Sequence, residues 1–269
     1  MAPARARCKP SRMFATSSDG SEIYFEATGE GETALVFVHG WNGNVRWWDA
    51  QRDALASRYR IVALDLAGHG RSAPARMPGS AAAYAADILA VVQAIDAPRI
   101  VLVGHSMSGG YVTAAAPDVE RLAALILVDT LKHLDGIPTA EQADAMLARY
   151  RADYRDAVTT LLPPFLFAPA TPPAVVERLQ REFLTVTGDV AAALVEPLYR
   201  MDLRAAARRV TVPVRGIGSD LHPDTAAANR AYFADYTYRA LAGCGHYPML
   251  EVPDAFTAAL RAELAALGA

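Results

Sequence analysis

A serine stands between small residues in Gly104-His105-Ser106-Met107-Ser108-Gly109, directly after the apolar run Ile100-Val101-Leu102-Val103 and at the start of a helical stretch. A buried strand feeding a sharp turn and then a helix is the context that holds a serine hydroxyl out as a nucleophile. Small residues at Gly104 and Ser108 let the chain turn tightly, and a helix N-terminus beside Ser106 favours a developing oxyanion. A serine hydroxyl is a weak nucleophile at neutral pH, so it needs a base, usually a histidine that a carboxylate orients. The chemistry open to such a set is acyl transfer through a serine ester.

Six histidines compete for the role of base. His246 leads, because Gly243-Cys244-Gly245-His246-Tyr247-Pro248 lies after the last strand signal and before the terminal helix, on a loop expected at the carboxyl edge of a sheet. His105 points away from the nucleophile in a tight turn and reads as a packed neighbour. His39 and His69 lie in glycine-containing loops, and His133 and His222 lie nearer the candidate acids or the segment that follows residue 129. The carboxylate is expected at Asp220, which follows a strand signal through Gly218-Ser219; Asp129, at the end of the run 122–128, is the rival, and Asp224 trails both. No histidine pair has helical metal-ligand spacing with a carboxylate, so no metal site is expected. Cys8 and Cys244 show neither zinc nor disulfide spacing.

These groups have to be positioned by the elements around them. Apolar or alternating runs at 12–16 and 22–27 flank Asp19-Gly20, a hairpin signal. Short apolar runs follow at 34–38, 61–66, 100–103 and 122–128, each too short for a helix and of the kind buried on both faces of a sheet. Alanine-rich helical stretches at about 47–57, 80–95 and 106–115 separate them, giving βαβ alternation and a doubly wound, mostly parallel α/β sheet. The pattern breaks at Thr130. Residues 130–207 carry helical periodicity and the breaks Pro163-Pro164 and Pro172-Pro173, which predicts a helical cap inserted into a core made of 1–129 and 208–269. Strand signals resume at 212–217 and 237–241, and an amphipathic helix ends the chain at 253–267.

From about Met13 onward the chain resembles the α/β-hydrolase family. The resemblance rests on Gly-His-Ser-Met-Ser-Gly at 104–109, on Asp65-Leu66-Ala67-Gly68-His69-Gly70-Arg71-Ser72, on His39-Gly40-Trp41-Asn42-Gly43 and on the Gly-Cys-Gly-His-Tyr-Pro loop. Ser108 departs from the glycine that many members carry there. What the resemblance implies is an eight-stranded sheet, the chain order Ser106, Asp220, His246 for nucleophile, acid and base, and the Asp129 position as one that some members use for the acid instead. It also implies an oxyanion hole formed by the backbone N–H groups of Trp41 and Met107. His39, Phe165 and Tyr247 are expected in the substrate pocket, under a lid to which Leu161, Leu162, Leu166, Phe167 and Tyr199 bring further apolar groups. Trp47 and Trp48 read as anchors outside the site.

The 269 residues, 52% apolar and with a net charge of −3, offer a large core and interspersed charges, without a nucleic-acid track or a membrane patch. A small-molecule substrate is expected, with no cofactor, and no signal fixes an oligomeric state. The basic residues Arg5, Arg7 and Lys9 are followed by no apolar run of the signal-peptide kind, and no stretch approaches the roughly 20 residues that span a bilayer, so a cytoplasmic location is expected. The expected activity is hydrolysis of carboxylic esters or lactones of small to medium apolar substrates. The alternatives are cleavage of a carbon-carbon bond in a β-diketone-like substrate, for which Arg46 or Arg71 would have to meet a substrate carboxylate, and a slow ligand sensor on the same fold.

Overall fold

The computed structural model describes residues 10–131, 133–221 and 226–269. His222 and Asp224, and Cys8 near the start of the chain, lie outside the described residues. Eight strands form one sheet in the order β1-β2-β4-β3-β5-β6-β7-β8. They are β1 (Ser11–Thr16), β2 (Glu22–Thr28), β3 (Thr33–Val38), β4 (Arg60–Leu64), β5 (Arg99–His105), β6 (Leu122–Val128), β7 (Val214–Ser219) and β8 (Tyr236–Leu241). β1 and β2 form the expected antiparallel hairpin, β2 runs antiparallel to β4, and the remaining pairs are parallel. At the hairpin tip Gly20 takes φ 86°, a left-handed conformation that glycine adopts without strain.

The central strands explain the unbroken apolar runs. Residues Leu35 to Val38 of β3 and Val101 to Val103 of β5 are fully buried, because helices cover both faces of the sheet. One helix, Ala81–Ala94, starts on Ser80, whose side chain accepts the Ala83 N–H at 3.1 Å. The terminal helix Pro253–Ala266 buries Phe256, Leu260 and Leu264. Between β6 and β7 the described residues form only helices and turns, chief among them Ala140–Ala152, Pro173–Phe183 and Gly188–Arg200. The first of these is fixed by a capping box between Thr139 and Gln142.

Strand ends differ from the sequence reading in two places that matter for the site. β4 stops at Leu64 rather than at residue 66; the Asp65 N–H still donates to Tyr24 O (2.9 Å), and its carboxylate accepts the backbone N–H groups of Val45 (2.7 Å) and Arg71 (2.9 Å). β7 begins only after Pro213, which has no N–H to give the ladder, and runs on to Ser219 instead of stopping at 217. No helix among the described residues is long and apolar enough to cross a membrane.

Candidate active site

The chain leaves β5 and reverses at Ser106, which holds φ 51° and ψ −121° before the helix Met107–Ala115 begins. A non-glycine residue held in such a region costs about 1–3 kcal/mol, so the surroundings must enforce it. The backbone N–H of Ser106 donates to Val128 O (3.1 Å), and its carbonyl accepts the Gly109 N–H (2.9 Å) and the Thr130 hydroxyl (2.6 Å). A Cβ at Gly104 would stand 2.6 Å from Val112 Cγ2 and 2.8 Å from Ser108 O, so only glycine fits the crossing. Ser108 makes use of its departure from glycine, because its hydroxyl donates to His39 O and ties the turn to the loop after β3.

His246 and Ser106 meet as the sequence anticipates. His246 Nε2 lies 2.7 Å from Ser106 Oγ, and its Nδ1 lies 2.6 Å from a carboxylate oxygen. That oxygen belongs to Asp129, not to Asp220. Asp129 follows β6 with φ 44°, and its Oδ1 accepts both the N–H (2.6 Å) and the hydroxyl (2.9 Å) of Ser219 while Oδ2 faces His246. A Cβ on Gly218 would stand 2.3 Å from Asp129 Oδ1, so the glycine makes room for the carboxylate. Asp220 is exposed, one residue beyond the end of β7, and its N–H reaches Leu241 O at 3.3 Å. Extension of β7 to Ser219 puts the buried inward position on the serine. With a carboxylate as its only possible acceptor partner, Nδ1 carries the proton and Nε2 is free to accept from the Ser106 hydroxyl.

The backbone at Gly40 and Trp41 passes against the nucleophile: a Cβ on Gly40 would be 3.0 Å from Ser106 Cβ and 2.6 Å from His105 Nδ1. Among the described residues, the N–H groups of Trp41 and Met107 donate to no backbone acceptor. Both residues line a cavity of about 460 Å³ into which Ser106 and His246 open. Leu161, Leu162, Phe165, Leu166 and Tyr199 of the helical insertion form much of its wall, and Tyr247 closes it from the core side. Phe165 is 58% exposed and stands at the rim. Phe167 is not a wall residue; its ring lies 5.9 Å from that of Tyr247. No Asp, Glu, Lys or Arg lines the cavity among the described residues.

His39, expected in the pocket, does not line it. Its ring is fully buried, turned inward by Nδ1 on Gly40 O (2.7 Å) and by Nε2, which accepts the Leu66 N–H (3.1 Å), and it does not reach the cavity. Burial, with the neighbouring His69 adding to it, holds its pKa well below the usual histidine value. Burial also pushes His69 down to about 4 and His105 down to about 3. These three imidazoles are neutral packing groups. His105 does more than fill space, since its Nε2 donates to the carbonyl of His246 at 2.7 Å.

The loop and the insertion are joined by aromatic side chains. Trp41 Nε1 donates to Ala191 O (2.8 Å) and its ring stacks on Tyr150 at 5.0 Å, while Trp47 Nε1 donates to Glu182 (2.7 Å). Sequence reasoning missed Trp47, Ser219 and His105 as site supports. Ser219 carried a usable signal, a small hydroxyl residue beside glycine at a strand end; the partners of Trp47 and His105 lie too far along the chain to be read. No group of three or more His, Cys, Asp or Glu among the described residues is arranged to hold a metal.

A family model described as the alpha/beta hydrolase family matches residues 35–259. The chain belongs to the α/β hydrolase family. A non-heme haloperoxidase of Rhodococcus erythropolis is 35% identical over 150 residues, 55% of this chain and 54% of the relative. The matches span about half or less of the length of the first curated relatives. Among solved structures, a thermophilic esterase from Thermogutta terrifontis superimposes with a TM-score of 0.80 at 25% identity, covering 96% of this chain and 99% of that one. An enol-lactonase from Burkholderia xenovorans LB400 gives 0.81 at 22% identity over 94% of this chain and 100% of that one, a likeness of fold. In this member of the α/β hydrolase family the carboxylate facing His246 comes from Asp129 after β6, and Ser219 at the end of β7 donates to it.

Proposed function

We propose that this α/β hydrolase cleaves carboxylic esters or lactones of small to medium, largely apolar substrates through an acyl-enzyme on Ser106. The observation that carries the reading is the continuous hydrogen-bond chain Ser106 Oγ, His246, Asp129, opening into a cavity that no Asp, Glu, Lys or Arg lines among the described residues. The Ser106 hydroxyl gives its proton to His246 Nε2 as Oγ attacks the carbonyl carbon, and Asp129 stabilises the imidazolium that results. The N–H groups of Trp41 and Met107 act as donors to the tetrahedral oxyanion. His246 then protonates the leaving oxygen, and in the second half-reaction it takes a proton from the water that frees the acid and restores Ser106.

The helical insertion is proposed as a cap that selects the substrate. Its cavity of about 460 Å³ falls within the range of roughly 300–1,000 Å³ of small-molecule sites, and its apolar wall favours an uncharged acyl or alkyl group. Esterase and enol-lactonase relatives of the same fold agree with this class of substrate. The carbon-carbon bond reading loses its support at the arginines. Arg46 is exposed and paired with Asp49, and Arg71 donates to Tyr24 Oη, so neither meets a carboxylate in the cavity. Hydrolysis of a p-nitrophenyl ester series by the native protein and by Ser106→Ala tests the proposal. Loss of turnover in the variant is expected; retention of most of it would reject Ser106, and binding of esters or lactones without turnover would favour a sensor.

A further inference from the structure

The loop that carries His246 is held by a carboxylate outside the triad. Glu251 is buried; its Oε2 accepts the Gly245 N–H at 2.7 Å and also the Thr171 hydroxyl, and its Oε1 accepts the Tyr247 N–H at 2.9 Å. Both amides flanking His246 therefore end on one side chain. The N–H of His246 itself donates to Leu166 O at 2.7 Å. Thr171 completes the arrangement, since its Oγ1 accepts the Ala168 N–H at 2.9 Å, so the segment 166–171 of the insertion and the histidine loop share one set of bonds. They are also in backbone contact: a Cβ on Gly245 would stand 2.4 Å from Leu166 O. Leu166 is at the same time part of the cavity wall.

We propose that Glu251 is a positioning residue which, with Thr171, fixes the backbone of His246 and couples it to the cavity wall at Leu166. This rests on the reading of Ser106 as nucleophile and His246 as base. Proton transfer depends on the 2.7 Å approach of Nε2 to Ser106 Oγ, and misplacement by about 1 Å can cost on the order of 100-fold in rate. Both oxygens of Glu251 accept from N–H groups, so Glu251→Gln sets an amide donor against at least one of them and leaves that buried amide unpaired. Thr171→Val removes the hydroxyl that joins Glu251 to the Ala168 N–H, and Thr171→Ser restores it. None of these changes replaces a side chain that lines the cavity, so the effect is expected to fall mainly on the chemical step rather than on KM.

The test pairs steady-state hydrolysis of p-nitrophenyl butyrate with the rate of Ser106 phosphonylation by a fluorophosphonate in the full-length protein. Glu251→Gln is expected to lower both kcat and the phosphonylation rate constant by about 10-fold to 100-fold with KM within about twofold of the native value. Thr171→Val should lower them less, and Thr171→Ser should return them to the native range. A purely architectural role would instead lower the labelled endpoint, the folded fraction, and leave the rate constant per labelled site unchanged; that result overturns the proposal. Should Glu251→Gln fail to fold, the Thr171 pair decides: equal native rates in both variants overturn it, and slow valine with native-like serine supports it. A native protein that is not labelled on Ser106 rejects the nucleophile assignment and this inference with it.

Discussion

Asp129→Asn is the substitution whose outcome the geometry specifies most closely. Asp129 Oδ1 accepts two donors from Ser219, the N–H at 2.6 Å and the hydroxyl at 2.9 Å. In the amide variant the carbonyl oxygen is held on that side, where an NH2 group would meet the Ser219 N–H. The amide NH2 is left facing His246 Nδ1, which lies 2.6 Å from the oxygen it replaces. Nδ1 must then accept, and the imidazole proton moves to Nε2, the nitrogen that faces Ser106 Oγ at 2.7 Å. The base is blocked and the imidazolium loses its counter-charge. The analogous change in a serine protease triad lowers kcat by about 10⁴, which at about 1.36 kcal/mol per tenfold is on the order of 5 kcal/mol of transition-state stabilisation. Asp220→Asn touches an exposed side chain and should leave kcat within about twofold, as surface substitutions usually do. The assay is kcat for p-nitrophenyl acetate at pH 7 on both variants, with folding checked by circular dichroism. A loss of a hundredfold or more in Asp220→Asn beside near-native turnover in Asp129→Asn would refute the reasoning.

Other outcomes follow from burial and from the cavity. His39, His69 and His105 have folded pKa values below the ordinary histidine value, so they contribute stability that is present above about pH 6.5 and is lost as pH falls, at about 1.4 kcal/mol per pH unit for each. Asp65, which burial pushes up to about 6, acts in the opposite sense: its contribution is present below the ordinary carboxylate range and lost as pH rises through 6. Unfolding free energies from urea titrations at pH 7, 6 and 5 should therefore fall, and His69→Gln should make the slope shallower by about 1 kcal/mol per pH unit over that range; an unchanged slope would contradict the burial argument. In an acyl-chain series, kcat/KM should rise by up to about fourfold per methylene placed in the cavity, the equivalent of about 0.8 kcal/mol. Val195→Phe, which fills part of the wall, should flatten that rise beyond the shortest esters while acetate turnover persists; a rise as steep as in the native protein would show that the acyl chain binds elsewhere.

The nucleophile turn was legible because every signal for it is local: an apolar strand, a glycine where Val112 crosses, a serine, and a helix start within a few residues. The same holds for His246, framed by glycines and a proline after the last strand. The acid was not legible in the same way. Asp129 and Asp220 each follow a strand end, and the choice between them depends on β7 running to Ser219 and on Gly218 leaving space for a carboxylate from the neighbouring strand. A shift of strand end by two residues is beyond a reading of hydrophobic runs. His39 was misread for a related reason: its neighbourhood to the loop was visible, but the two backbone partners that turn its ring inward were not. The supports that join core and insertion, such as Trp41 with Ala191 and Glu251 with Thr171, bond residues 150 and 80 positions apart and leave no local trace.

The central claim is that the acyl group passes through a covalent ester on Ser106. Rapid mixing of the protein with p-nitrophenyl acetate, quenched in acid and followed by mass spectrometry of the peptide that contains Ser106, tests it most directly. The account predicts a burst of p-nitrophenol matched by an acetyl group on Ser106, absent in Ser106→Ala and accumulating at most slowly in Asp129→Asn. Sustained hydrolysis by Ser106→Ala at the native rate, or an acetyl group carried on another residue that is chemically and kinetically competent, would contradict it.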